Sequence, residues 1–308
     1  PASGGTYTAG TNATTFAAAT STITSNGRTL DFPIIFNGSL YTLQDAMTVG
    51  STRTTTLTTG TLNLNGFTLT TGLFSSSGSG TRTIAYGTGS LTLNGTGTVF
   101  DTTTATNFSS TGTVYVNSTT AGTKTIVTGF TEAQAAGYNV TTSASSGVRI
   151  TTTDVITLTG SFDDFDLTGF AGTLANTART IYGNWINPAS GGTYTAGTAA
   201  TTFASTTTQT ITGNDRTLDW PFTFNGTGGT WTLLSNFASG STRTTTLTTG
   251  TIAFNTYTLT TGIFSSSGTL ARTLAYGTGG QLALSGNAAT IFDVTTASNF
   301  SSTGTVYI

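Results

Sequence analysis

The chain has no cysteine and no histidine, and among its 308 residues there is one lysine (Lys124), one glutamate (Glu132) and four prolines. Without cysteine there is no disulfide framework and no thiol chemistry. Without histidine neither a Ser-His nucleophile nor a His-ligated metal can be built from this segment. Charged residues make up 6% of the chain, the net charge is −2, and Lys and Arg are nowhere clustered. Nucleic acid is therefore not an expected partner, because phosphate binding needs concentrated positive charge. No apolar run approaches the ~20 residues that a membrane helix needs, so no membrane partner is expected either.

What is present is threonine above all, with 40 Gly, 19 Phe, 10 Tyr and 35% hydrophobic residues spread along the chain. The branched Cβ of threonine suits an extended backbone. So much apolar and aromatic content argues against a disordered linker despite the low charge. The composition predicts an all-β protein.

A short repeat organises the sequence. Arg53 opens R-TTTLTTG-TLNLNG-FTLTTG, Arg82 opens R-TIAYGTG-SLTLNG-TGTVFD, and Arg28 opens a related line, at steps of 25 and 29 residues. Each line holds three short strand-like runs ended by Gly, Asn-Gly or Ser/Gly clusters. Alternation places Leu62, Leu64, Phe67 and Leu69 on one face and Thr and Asn on the other. The expected fold is all-β, a right-handed parallel β-helix (β-solenoid) with about 25–30 residues and three short strands per coil. About eleven coils at ~4.8 Å each would give a rod on the order of 50 Å long. Asn-Gly pairs are also hairpin signals and favour a rival fold of antiparallel sandwiches. The solenoid is preferred because Asn65-Gly66 and Asn94-Gly95 recur at one place in successive lines, as stacked corners would.

A longer repeat lies above the short one. Pro1-ASGGTYTAGT returns at Pro188 and Asn107-FSSTGTVY returns at Asn299, offsets of 187 and 192. The expected units are 1–187 and an incomplete second copy, 188–308, in one continuous rod, with the extra residues of the second copy in turns. A copy that stops partway predicts that the natural chain continues. Gly129-FTEAQAAGY breaks the β pattern; Thr131 as N-cap, Gln134 at N3 and Gly137 past the end predict one or two turns of helix.

Candidate chemistry is sparse. Asp163, Asp164 and Asp166 form the sharpest acidic cluster. Paired carboxylates suit glycoside hydrolysis, and adjacent Asp suits Ca²⁺. A solvated corner loop is the plainer reading, since Phe162, Phe165 and Leu167 do not share a clean strand face. The arginines Arg28, Arg53, Arg82, Arg179, Arg216, Arg243 and Arg272 could form an anion-binding ladder. The plainer expectation is that they pair with Asp31, Asp101, Asp219 and Asp293 or cap carbonyls. Tyr7, Tyr41, Tyr86, Tyr115, Trp185, Trp220, Trp231 and Tyr276 could stack on sugars, or fill the core. No catalytic, metal or cofactor site is expected.

The phrases from Asn63 to Asp101, and NFSSTGTVY, resemble repeats of long Thr/Gly/Asn-rich β-helical proteins of marine bacteriophages. They are similar also to bacterial autotransporter-type adhesins. The resemblance implies a non-enzymatic extracellular or virion-surface structural protein, a segment of a tail fibre or spike. Its implied partners are further copies of itself, other virion or filament proteins, and host-surface glycans. The alternatives are a cell-surface adhesin and a β-helix polysaccharide depolymerase working through the Asp163–Asp166 cluster.

Overall fold

The computed structural model describes residues 7–305; the expected repeat boundaries at Pro1 and Ile308 lie outside the described residues. Two compact units, Pro1–Gly160 and Ser161–Ile308, divide the chain. The beginning of the second sequence copy, Pro188, falls inside the second unit.

Both units are parallel β-solenoids. In the first, three strands per coil stack into three columns. One column runs Thr14–Phe16, Ile34–Phe36, Thr54–Thr56, Leu73–Ser75, Gly97–Thr102 and Thr123–Thr128, every pair parallel. A second runs Thr20–Ile23, Leu40–Leu43, Thr61–Asn63, Arg82–Gly87 and Phe108–Gly112. A third runs Thr29–Leu30, Met47–Val49, Thr68–Thr71, Ser90–Leu93, Tyr115–Ser118 and Gly147–Arg149. The second unit repeats the plan with, for example, Arg179–Ile181, Thr201–Phe203 and Phe222–Phe224 in register.

Coil length is less regular than the Arg spacing suggests. Thr54 pairs with Leu73, Thr61 with Thr83, Phe74 with Phe100 and Ile126 with Leu158, steps of 19, 22, 26 and 32 residues. The corners that stack are correspondingly different from those expected. Asn65 takes φ 51° and Gly66 φ 81°, but Asn94 lies over Thr71 and Gly95 over Gly72, each through a backbone bond. The true stack is Gly50, Gly72 and Gly95, repeated as Gly240, Gly262 and Gly286, with N–H···O=C bonds from Gly72 to Gly50, from Gly95 to Gly72 and from Gly286 to Gly262. The spacing of identical dipeptides gave the right fold through the wrong corner.

Two expected strand pairs fuse. Ile34–Leu43 and Thr54–Asn63 each run through a corner without a break. The bend at Gly38 and Gly60 is possible because neither carries a Cβ. One on Gly38 would sit 2.0 Å from the Ala18 carbonyl oxygen, and one on Gly60 1.9 Å from that of Gly38.

The core is made of like residues in register. Ile34, Thr55, Phe74, Phe100, Ile126 and Leu158 form one buried column. Aromatic rings stack between coils: Phe165 on Trp185 at 4.6 Å, Phe254 on Tyr276 at 4.8 Å. These separations match the ~4.8 Å rise between strands, so the backbone spacing itself brings rings to van der Waals contact. Each such side chain contributes about 1.5–3 kcal/mol of burial. Thr55, the polar member of the column, is satisfied internally by the Thr71 hydroxyl at 3.0 Å, and Thr245 by Thr261 at the same distance.

The helix forms as expected, over Glu132–Ala135. The Thr131 N–H donates to Gln134 Oε1 at 3.0 Å, while Gln134 Nε2 donates to the Ala105 and Phe108 carbonyls of the coil below. Gly137 follows with φ 81°. Of the extra residues of the second copy, Gly279 sits in an exposed turn, whereas Thr227 and Gly228, though exposed, lie within the continuous strand Phe222–Leu233, where the register shifts, against the expectation that such residues fall in turns.

Candidate functional site

The acidic stretch lies at a corner of the second unit. Phe162, Phe165 and Leu167 are all fully buried. The expectation that they share no face fails because the chain bends at Asp163–Asp164, which brings positions three and five apart to one interior. The aspartates are half-buried and turned to the backbone. Asp164 Oδ1 accepts from the Asn184 N–H at 2.7 Å and from Asn184 Nδ2 at 2.9 Å. Asn184 Oδ1 in turn accepts from the N–H and hydroxyl of Thr210, at 2.9 and 2.8 Å. Asp164, Asn184 and Thr210 thus form a polar ladder up one corner, one member per coil. Asp166 Oδ1 accepts from the Thr168 N–H at 2.9 Å, a turn-closing bond. The Asp163 carbonyl takes the Gly183 N–H at 3.1 Å. The cavity beside Asp164 and Asp166 is about 180 Å³, below the ~300–1,000 Å³ of ordinary ligand pockets. Among the described residues no three Asp or Glu side chains group closely enough to hold a metal ion.

The arginines do not form a ladder. Arg82 lies in register with Gly60, seven residues beyond Arg53. Arg53 pairs with Asp31 at 2.8 Å and Arg243 with Asp219 at 2.7 Å. Arg82 and Arg272 are buried instead. Arg82 Nη2 donates to the Thr104 and Thr106 carbonyls, and Arg272 Nη2 to those of Thr296 and Ser298. Asp101 and Asp293 hold the same loops from the other side, each accepting from the N–H of the threonine two residues on. Arg179 is buried between rings, its guanidinium carbon 5.3 Å from Trp220 and 5.9 Å from Phe165. Burial pushes both Arg82 and Arg179 below the usual guanidinium range.

Of the aromatic candidates, Tyr41, Tyr86, Trp185, Trp220, Trp231 and Tyr276 fill the core, Tyr115 is half-buried and Tyr7 is exposed. They make no sugar-stacking platform. A cleft of about 420 Å³ runs beside the helix, between Ser109–Val114 and Gln134, Gly137 and Asn139. It carries no charged side chain.

One cluster escaped sequence reasoning. Lys124, the chain's only lysine, and Asp154 are both fully buried, with Nζ 3.3 Å from Oδ1. Lys124 Nζ donates to the Ser118 hydroxyl. Asp154 Oδ1 accepts from the Gly122 N–H at 3.1 Å and Oδ2 from the Thr151 N–H at 2.9 Å. Burial pushes the Lys124 ammonium down, with Asp154 opposing. The signal was present in the alternation: Lys124, Ile126 and Thr128 share one phase of Thr123–Thr128, and Ile126 points inward. No helix among the described residues is long and apolar enough to cross a membrane. Comparison of the chain with protein-family models, with curated proteins and with solved structures finds no match in any of the three.

Proposed function

We propose that the chain is a non-enzymatic structural segment of an extracellular filament, of the tail-fibre or spike type on a virion surface, that spaces or presents an adhesive tip. The observation that carries this reading is the use made of the side chains. Inward positions fill a column of stacked like residues, and the polar groups at the corners, Asp164, Asn184, Asp166 and Asp101 among them, are spent on backbone N–H groups. A surface of Thr and Asn nearly free of charge supports the same reading, since like charges stacked ~4.8 Å apart would repel. Its partners would be further copies of the chain, other filament proteins, and host-surface glycans.

The test is to image purified particles with a label directed at exposed residues such as Thr227 and Gly228. Label along a fibre or spike supports the proposal; a soluble monomer attached to no particle overturns it. The depolymerase reading has no comparable support, because Asp164 and Asp166 already serve the backbone. Asp164→Asn with Asp166→Asn should leave any contact with glycan unchanged and produce no change in glycan chain length on gels.

A further inference from the structure

A chain with one lysine has placed it at an inward strand position, between Gly97 of one coil and Ile156 of the next. A buried ammonium facing a buried carboxylate is expensive to keep charged, and is retained where geometry closes the pair tightly. Here it is not closed. Nζ stands 3.3 Å from Oδ1 and 3.4 Å from Oδ2, against about 2.7–2.9 Å for a charge-assisted bond. Near-equal distances to both oxygens set the nitrogen against the carboxyl group as a whole, not in line with one oxygen. With both oxygens at such distances, the carboxyl carbon bonded to them is brought into van der Waals contact with Nζ. Both reactants are held: the carboxyl group by the Gly122 and Thr151 N–H groups, the amine by the Ser118 hydroxyl.

We propose that Lys124 and Asp154 are joined by an isopeptide bond in the folded protein. The Nζ–Cγ bond forms, one Cγ–Oδ bond breaks, and two of the three ammonium protons leave with that oxygen as water. No oxidant, reductant or further reactant is needed. Complete burial removes the water that would drive hydrolysis. A cleft lined by Ser118 and Thr151, but by neither Lys124 nor Asp154, adjoins the pair and gives the released water a way out. The linkage ties strand Thr123–Thr128 to the turn that opens the next coil, 30 residues on. It stands independently of the function proposed above.

Because there is a single lysine, the test is direct. The full chain is denatured, its intact mass is measured, and it is treated with an amine-acylating reagent. The expected result is a mass lower than the sequence by one water, no label on a lysine side chain, and a proteolytic fragment joining the Lys124 and Asp154 peptides. Asp154→Ala should restore the full mass and full lysine labelling. Wild-type protein at full mass with Lys124 labelled overturns the proposal. So does a loss of water with Lys124 still labelled, which would place the dehydration at another residue.

Discussion

Single residues carry this fold mainly through what they leave out. Gly38 has no room for a side chain, since a Cβ would press on the Ala18 carbonyl oxygen at 2.0 Å, whereas a Cβ on Gly10 would meet nothing within 4 Å. Gly38→Ala should therefore destabilise the first unit by about 1–3 kcal/mol, the usual cost of forcing atoms into a filled site. Gly10→Ala should be neutral or stabilising by up to about 1 kcal/mol through the unfolded chain. Paired urea titrations distinguish the two, and equal losses would refute the corner argument. Asp293 gives a second residue-scale test. Hydrogen bonds from the Thr295 hydroxyl and N–H and from Ser267 hold its carboxyl at about 2, below the ordinary 3.8. A depressed folded value means a contribution that is present above 3.8 and lost as pH falls toward 2. Asp293→Asn should flatten the urea midpoint against pH in that window relative to wild type; parallel profiles would show that the loop does not use the charge.

At the scale of elements, the helix is the one departure from a strand-only coil among the described residues, and it is tied down by one side chain. Gln134 accepts from Thr131 and donates to two carbonyls of the coil below. Gln134→Ala removes a cap and the side-chain donor to those carbonyls, of which that of Ala105 keeps the Phe108 N–H at 2.9 Å. A loss of about 0.5–1.5 kcal/mol is expected for each hydrogen bond removed, with faster amide exchange over 131–139 as the local readout. The helix was legible because capping is a matter of residues three apart. The S-L-T-L run of the Arg82 line was legible as a strand, and Ser90–Leu93 forms one. The fusion of two runs into Thr54–Asn63 was not, because Gly60 reads as a stop in sequence. Only its stacking on Gly38 shows that the strand bends there and continues.

For the whole molecule, stacked coils contact their neighbours in the stack, so a defect should be felt locally and fade with distance. All three tryptophans, Trp185, Trp220 and Trp231, are fully buried in the second unit. Phe203 packs among them, with ring centroids 6.0 Å from Trp185 and 6.4 Å from Trp231. Phe203→Ala should cost about 3–5 kcal/mol and lower the urea midpoint seen by tryptophan fluorescence. Amide exchange at Ile126 and Leu158 in the first unit should stay unchanged. A matching acceleration there would show that the two units unfold as one.

The sequence by itself determined the fold class, the capped helix and the inward set of Leu62, Leu64 and Leu69. All of these rest on local periods and local backbone preferences. Phe67 proved half-buried, and tertiary structure alone decided which residues lie above which. Coil length changes from 19 to 32 residues along the first unit, so equal spacing in sequence does not mean equal place in the stack. That is why Arg53 and Arg82 part company and why Asn94 rests on Thr71. It is also why Asp154 arrives beside Lys124: only the closing of a coil around the helix brings a residue 30 positions away to the one buried amine.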